Sequence, residues 1–188
     1  MTARLVLVRH TRPAIDAAIC YGRSDLGLAS TWPLEFEQCL ARIPVATTVL
    51  TSPSVRCRGL AQAIGQRDQI EVQTDERLLE LDFGAWEGQP WCDIPRACID
   101  QWSADMVDYA PGNGESLRML WTRVGELRAD LIEGSSGKGS FGNVVIVSHH
   151  GPIRALAAQI LGQPMQAMFS YEIPWGGVFC IDLPPTTP

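Results

Sequence analysis

Short apolar runs recur along the chain, and the strongest of them end in polar or charged residues. These runs lie at 5–8, 45–51 and 144–147. Their length and their β-branched residues predict strands that are buried on both faces. Weaker patterns predict a short strand at 70–72 and a last strand at 177–182.

Helical spacing of apolar residues fills the stretches between these runs. It predicts helices over 31–42, from a first turn that holds Arg56 to about Ile64, over 115–132 and over 152–161. Because strands alternate with helices, we expect an α/β fold, a three-layer α/β/α sandwich with a mostly parallel central sheet. The Gly- and Ser-rich stretch 134–142 is expected to be a linker.

A break in this periodicity occurs at 84–113, where Trp86, Trp91, Trp102 and Tyr109 collect together with several prolines. This stretch is expected to form a small inserted cap of short helices, in which the tryptophans mainly serve packing. A chain of 188 residues slightly exceeds the commonest domain size. We therefore expect a single domain, 1–188, with a cap inserted at about 84–113.

Composition narrows the classes of partner. The formal net charge is −6 and the isoelectric point is about 5.0, which leaves no broad basic face for nucleic acid. No apolar run reaches membrane-spanning length, so a cytoplasmic protein without a membrane partner is expected. The six cysteines include no Cys-x-x-Cys pair and are expected to be free thiols, most of them buried.

Charged and titratable residues collect at the ends of the predicted strands. All three histidines lie there, with Arg9 and His10 after the first strand and His149 and His150 after the strongest one. The carboxyl ends of strands border the ligand crevice of open α/β sheets. Arg56 lies just beyond the second strand. Singly, each of these residues is as well explained by a strand cap or a solvent-facing side chain.

Together with Glu80, these residues satisfy the needs of phosphoryl transfer. Arg9, Arg56 and a protonated His149 would neutralise the non-bridging oxygens of a phosphomonoester dianion. A neutral His10 could attack phosphorus and form a phosphohistidine. Glu80 could protonate the leaving oxygen and then serve as base for water, although it could also be a plain surface carboxylate.

Competing chemistries lack their signatures. No cysteine is followed by an arginine at the spacing Cys-x5-Arg, and no Gly-x-Ser-x-Gly elbow or Asp-x-Asp after a strand is found. Three histidines, two of them adjacent, do not give the spacing of metal ligands. We expect a small-molecule phosphomonoester as the partner.

Four segments together resemble the histidine phosphatase superfamily, in its phosphoglycerate-mutase-like branch. They are Arg9-His10-Thr11, Thr-Ser-Pro-Ser-Val-Arg at 51–56, Leu-Glu-Leu-Asp-Phe-Gly-Ala-Trp-Glu-Gly at 79–88 and Val-Ser-His-His-Gly-Pro-Ile-Arg at 147–154. The resemblance implies His10 as the phosphorylated nucleophile and Glu80 as the proton donor. It implies a phosphate pocket made of Arg9, Arg56 and His149, and neither a metal nor an organic cofactor.

A finer resemblance points to the α-ribazole-5′-phosphate phosphatase subgroup, through the segments 20–25, 112–116 and 175–178. It implies α-ribazole 5′-phosphate, an intermediate of cobalamin assembly, as the substrate. An aromatic cap could stack on its benzimidazole ring. The alternatives are a broad-specificity phosphatase of phosphosugars or phosphoserine, a phosphoglycerate mutase, and a phosphate-binding module without turnover.

Three positions depart from the pattern of the superfamily. Thr11 replaces a usual Gly, Asp16 lies near a frequent Asn, and His150 stands where many members have Gly. An anionic Asp16 would repel phosphate, so a phosphate-binding role is not expected for it. Thr11 and Gly22 are candidate substrate-binding residues.

Overall fold

Five strands form one sheet in the computed structural model, which describes residues 4–135 and 142–182. The sheet order is β3-β2-β4-β1-β5, and only β5 runs antiparallel to its neighbour. The mostly parallel α/β sheet expected from the sequence is thereby confirmed. The strands are β1 (Arg4–Arg9), β2 (Ala46–Thr51), β3 (Val72–Thr74), β4 (Asn143–Ser148) and β5 (Val178–Asp182).

Helices pack on both faces of this sheet. The helices are α1 (Trp32–Leu40), α2 (Val55–Asp68), α3 (Arg96–Ala104), α4 (Leu117–Ser135) and α5 (His150–Ile160). Short 3₁₀ helices lie at Glu76–Leu78, Gly84–Trp86, Pro111–Asn113 and Met165–Ser170. Among the described residues, no helix is long and apolar enough to cross a membrane.

Alternate residues of the central strands belong to different hydrophobic cores. Leu5 and Leu7 of β1 pack with α4 and α5, whereas Val6 and Val8 pack with α1 and α2. Side chains of a strand point alternately to its two faces, so a strand covered on both sides must be apolar at every position. This explains the unbroken apolar runs and gives the three layers that the sequence predicts.

The region around α2 and β3 differs from the prediction. The helix ends at Asp68 instead of Ile64, and Gln69 adopts a left-handed conformation (φ 58°) that closes it. The amide of Ile70 then donates to the carbonyl of Gly65 at 2.9 Å. Because this turn uses Ile70, the strand starts at Val72, two residues later than predicted.

Other boundaries also move. Helix α4 extends to Ser135, and the remainder of the predicted linker lies mostly at 136–141, outside the described residues. Helix α5 starts at His150 and tolerates Pro152 in its first turn, where the missing amide costs no helical hydrogen bond. The six cysteines, all in described segments, are free thiols; Cys20, Cys39 and Cys57 are buried, so the buried ones are half of the set and not most.

Segment 84–113 contains α3 and two 3₁₀ turns, and its aromatic side chains form a cluster of their own. Trp86 is buried with Cys20 and Ile94, and partly buried aromatic residues surround them. The rings of Trp91 and Trp102 lie parallel, 6.2 Å apart between centroids. We call Phe83, Trp86, Trp91, Trp102 and Tyr109 the aromatic cluster. Its tryptophans pack on one another, as the sequence analysis expected.

Candidate active site

The predicted site residues come together at the carboxyl ends of three adjacent strands. His10 follows β1, Ser52 follows β2 and His149 follows β4, which lies between the other two. The amides of His10 and Ser52 donate to carbonyls of β4, both at 3.0 Å. Sheet order alone therefore places the three side chains side by side. We call Arg9, His10, Arg56, Glu80 and His149 the strand-end site.

His10 is held as a neutral imidazole. Its ring is buried, and Nδ1 lies 2.7 Å from the carbonyl oxygen of Thr11, which can only accept a hydrogen bond. Nδ1 therefore carries the proton and Nε2 keeps its lone pair. Burial, with the nearby Arg56 charge, lowers the pKa of His10 to about 3. The nucleophilic form is thus populated at neutral pH.

His149 lies edge to face against His10, with 5.1 Å between ring centroids. Its Nδ1 accepts a hydrogen bond from Nε of Arg56 at 3.2 Å, so its Nε2 carries the proton and donates to Oγ of Ser52 at 2.8 Å. Burial, the His10 ring and Arg56 all lower the pKa of His149 well below its usual value. The protonated His149 predicted from the sequence is therefore disfavoured, because burial disfavours the charged ring and the guanidinium of Arg56 donates to its second nitrogen.

Arg56 is fully buried, yet not all of its N–H groups have a hydrogen-bond acceptor. It donates from Nη1 to the carbonyl of Ser24 and from Nη2 to the carbonyl of Gly22, each at 2.6 Å, besides the bond to His149. A guanidinium has five N–H donors, so two remain for another acceptor. No carboxylate of the described residues pairs with it within 4.0 Å.

Arg9 is a second guanidinium without an ion pair among the described residues. Its Nη1 donates to the carbonyl of Ile173 at 2.9 Å, and its buried Nε has no partner. The ring of Trp175 lies against it, 5.3 Å from the guanidinium carbon. Burial lowers the pKa of Arg9, and the Glu80 charge partly offsets this. Two partly unsatisfied cations beside His10 make a site for an anion.

Glu80 reaches the start of α5 from the other side. Its carboxylate oxygens accept the amide of Gly151 at 3.1 and 3.3 Å, one of the helix amides that lack an internal partner. A Cβ atom at Gly151 would collide with Oε1 of Glu80, so a side chain at this position would displace the carboxylate. Arg123 fixes the backbone by donating to the carbonyl of Glu80 at 3.1 Å.

The remaining candidate residues have other surroundings. The carbonyls of Thr11 and Gly22 bind His10 and Arg56, and a side chain at Gly22 would collide with the carbonyl of Leu81. Asp16 is exposed and accepts the amide of Ala18 at 2.8 Å. Half-buried His150 has its pKa lowered to about 4 by burial and by Arg9 and Arg154.

Two residues that shape the site, Ser52 and Glu87, were not predicted from the sequence. Ser52 lies inside the segment 51–56, at the polar end of a predicted strand, so the signal used for His10 would have found it. Glu87 lies inside the segment 79–88, but its partners are the backbone amides of Arg23 and Ser24, more than 60 residues away. Nothing in local spacing shows that contact.

Comparisons with known proteins agree with this geometry. The profile of the histidine phosphatase superfamily (branch 1) matches residues 5–187. An adenosylcobalamin/alpha-ribazole phosphatase of Escherichia coli (strain K12) is 30% identical over 138 residues, which cover 72% of this chain and 66%, just under two thirds, of that protein. A glucosyl-3-phosphoglycerate phosphatase of Mycolicibacterium vanbaalenii is 31% identical over 173 residues, covering 86% of this chain and 76% of that protein.

Solved structures give the same result. The alpha-ribazole phosphatase from Shigella flexneri superposes with a TM-score of 0.85 at 25% identity, covering 97% of this chain and 91% of that chain. A mycobacterial glucosyl-3-phosphoglycerate phosphatase superposes with a TM-score of 0.81, also at 25% identity, covering 96% and 90%. The profile match over residues 5–187 shows that the chain belongs to the histidine phosphatase superfamily, branch 1.

Proposed function

We propose that this protein hydrolyses phosphomonoesters through a phosphohistidine formed at Nε2 of His10, without a metal or an organic cofactor. The observation that carries the proposal is the state of His10. Its Nδ1 is fixed to a carbonyl and its ring is neutral, and it lies beside guanidiniums that lack carboxylate partners. A neutral nucleophile next to a cationic site is what attack on a phosphate dianion requires.

Binding of the phosphoryl group follows from the free donors. The two unused N–H groups of Arg56 and the unpartnered Nε of Arg9 are available to its non-bridging oxygens. Nε2 of His149 donates its proton to Ser52 in the free protein, and the same N–H can donate to the non-bridging oxygens when a phosphoryl group is bound. A bound dianion raises the proton affinity of His149, so the cation predicted from the sequence is expected only in the complex.

The chemical steps use His10 and Glu80. Nε2 of His10 attacks phosphorus, the bond from phosphorus to the ester oxygen breaks, and Glu80 donates its proton to that oxygen as the alcohol leaves. The carbonyl of Thr11 keeps its bond to Nδ1 and stabilises the positive charge that develops on the ring. Water then attacks phosphorus with Glu80 accepting its proton, the bond from phosphorus to Nε2 breaks, and phosphate leaves His10 neutral again.

For the substrate we propose α-ribazole 5′-phosphate first. Relatives named for that activity and the segments 20–25, 112–116 and 175–178 support it. A broad small-molecule phosphatase is the second candidate, because a relative of equal identity is named for glucosyl-3-phosphoglycerate. We also propose segment 84–113 as the cap of the site.

The test is phosphate release from α-ribazole 5′-phosphate, glucosyl-3-phosphoglycerate, phosphosugars, phosphoserine and nucleotides in the presence of EDTA, with His10→Ala as control. We expect α-ribazole 5′-phosphate to be preferred and the variant to be inactive. Similar rates across the panel, with the same dependence on His10, would favour the second candidate. Binding of phosphoesters without an acid-labile phosphoprotein would contradict the mechanism, and isomerised phosphoglycerate formed faster than free phosphate would indicate a mutase.

A further inference from the structure

The charge of Arg56 needs a compensating group that the proposed mechanism does not supply. A buried guanidinium is normally paired with a carboxylate. Here its nearest acceptors are two uncharged carbonyls, those of Gly22 and Ser24, and one imidazole nitrogen. These carbonyls belong to a loop that forms no regular secondary structure. In the free protein another group must therefore position this loop and compensate the positive charge of Arg56.

One peptide group connects Arg56 to a carboxylate. The peptide between Gly22 and Arg23 accepts from Nη2 of Arg56 with its carbonyl, at 2.6 Å, and donates from its N–H to Oε1 of Glu87, at 2.8 Å. The C=O and N–H of a trans peptide point in opposite directions, so this unit forms a bridge between carboxylate and guanidinium. Each bond polarises the peptide in the sense that strengthens the other.

Glu87 holds the loop at further points. Oε2 accepts the amide of Ser24 at 2.6 Å and also its hydroxyl, and Oε1 accepts the amide of Phe83 at 3.2 Å. A Cβ atom at Gly22 would collide with the carbonyl of Leu81 and lie 3.0 Å from Oε1 of Glu87, so the loop packs directly against the segment that carries Glu87. Burial raises the pKa of Glu87, but its hydrogen bonds to Ser24 and to these amides outweigh burial and lower it. Glu87 is therefore an anion at neutral pH.

We propose that Glu87 is the remote counter-ion and positioning residue of Arg56. Through the Gly22–Arg23 peptide it compensates the positive charge of Arg56 and orients the guanidinium group. Two N–H groups of that guanidinium remain free. A carboxylate in direct contact would occupy those donors and repel a phosphate dianion. The inference rests on the proposed phosphate-binding role of Arg56.

The first test is Glu87→Gln, with Glu71→Gln as the control, because Glu71 is an exposed carboxylate that makes no contact with the loop. The amides of Arg23 and Ser24 donate to different oxygens of Glu87, and Gln keeps only one oxygen in that geometry, so one N–H loses its partner. With p-nitrophenyl phosphate as the substrate, we expect kcat/KM to fall and the inhibition constant of inorganic phosphate to rise, each about 10- to 100-fold, the range for one hydrogen bond to a charged group. Wild-type values in Glu87→Gln would overturn the proposal.

A double-mutant cycle shows whether Glu87 acts through Arg56. In an Arg56→Lys background the planar fork is already lost, so Glu87→Gln should change kcat/KM by less than about threefold. Full additivity of the two losses would mean that Glu87 affects activity by another route and would refute the proposal.

Two further variants keep the test decisive. If Glu87→Gln does not fold, Ser24→Ala removes only the hydroxyl bond to Oε2 and should raise the phosphate inhibition constant about two- to fivefold; an unchanged constant would count against the proposal.

Calorimetric binding of inorganic phosphate in a His10→Ala background separates the proposed function from the proposed role of Glu87. If His10→Ala retains turnover, the proposed function fails, whereas the effect of Glu87→Gln on phosphate affinity still decides the role of Glu87.

Discussion

The strand-end site and the aromatic cluster are built by different kinds of contact. In the strand-end site the polar side chains are oriented by directional hydrogen bonds, some to backbone carbonyls and some to other side chains. In the aromatic cluster the rings meet edge to face, tilted or stacked, at centroid distances from 5.8 to 6.3 Å. Directional bonds fix atoms within a few tenths of an ångström, whereas ring packing fixes mainly volume. Chemistry and specificity are therefore expected to respond differently to substitution.

The largest effect should come from the nucleophile. His10→Ala is expected to reduce kcat by at least about 1000-fold on every phosphoester, because the adjacent imidazole of His149 already uses its lone pair to accept from Arg56. The measurement is steady-state phosphate release, together with detection of acid-labile phosphoprotein. Trp102→Phe, a substitution in the aromatic cluster, is the matched control and should retain turnover of a small ester. Residual turnover above that limit in His10→Ala would show that another group attacks phosphorus.

A smaller loss is expected for Arg56→Met. Two donors to the phosphate disappear, so kcat/KM should fall about 100-fold, through both KM and kcat. Thermal stability should also fall, because Arg56→Met leaves the carbonyls of Gly22 and Ser24 without their donor and Glu87 without its counter-ion. The comparison of kinetics with the melting temperature checks this. A large drop in the melting temperature with modest kinetic change would make Arg56 a structural residue.

Substitutions in the aromatic cluster should lower the stability of the protein more than its turnover of a small ester. Trp102 contacts Phe83, Trp86 and Trp91, so Trp102→Ala should lower the free energy of unfolding by about 2 to 3 kcal/mol. Turnover of a small ester such as p-nitrophenyl phosphate should stay within about twofold. Urea denaturation and kinetics measure the two quantities. A selective loss on α-ribazole 5′-phosphate would show that these rings also contact the substrate, and an equal loss on both esters would exclude stacking.

The smallest effect concerns pH and stability. The pKa of His10 is about 3 in the folded chain and about 6.5 in the unfolded one, so the unfolded chain binds more protons between these values. Stability is thus present above about pH 6.5 and is lost as pH falls toward 3. From pH 8 to 5 the loss from His10 should be about 2 kcal/mol. His10→Asn keeps a donor for Thr11 without titrating, and urea denaturation at both pH values should show a shallower dependence in this variant. Equal slopes would contradict the neutral buried state.

Much of the fold and of the candidate site was predictable because the signals are local. Unbroken apolar runs such as 5–8 identify strands buried on both faces, and polar residues directly after them identify the edge where chemistry occurs. Because β1 and β4 pair in parallel, with β2 on the other side of β4, the residues that follow β1 and β4 lie at the same edge, and this brings His10 and His149 together.

The rest depends on contacts between distant segments. The neutral state of His149 follows from Arg56, 93 residues away in sequence. The start of β3 depends on how Gln69 closes α2, and the role of Glu87 depends on a loop at 22–24 that comes to lie against it. Spacing along the chain carries no information on such pairs, and the fold boundary at 84–113 stays a prediction for the same reason.

If the unpaired guanidiniums of Arg9 and Arg56 bind phosphate as proposed, the stability of the folded state depends on the concentration of inorganic phosphate. A ligand that binds only the folded chain stabilises it by RT ln(1 + [L]/Kd), about 2.7 kcal/mol at a hundredfold excess over Kd. The product of the reaction is such a ligand, since it carries the same dianionic group as the ester. Accumulated phosphate would slow turnover while protecting the enzyme from unfolding, which links the lifetime of the protein to the phosphate level around it.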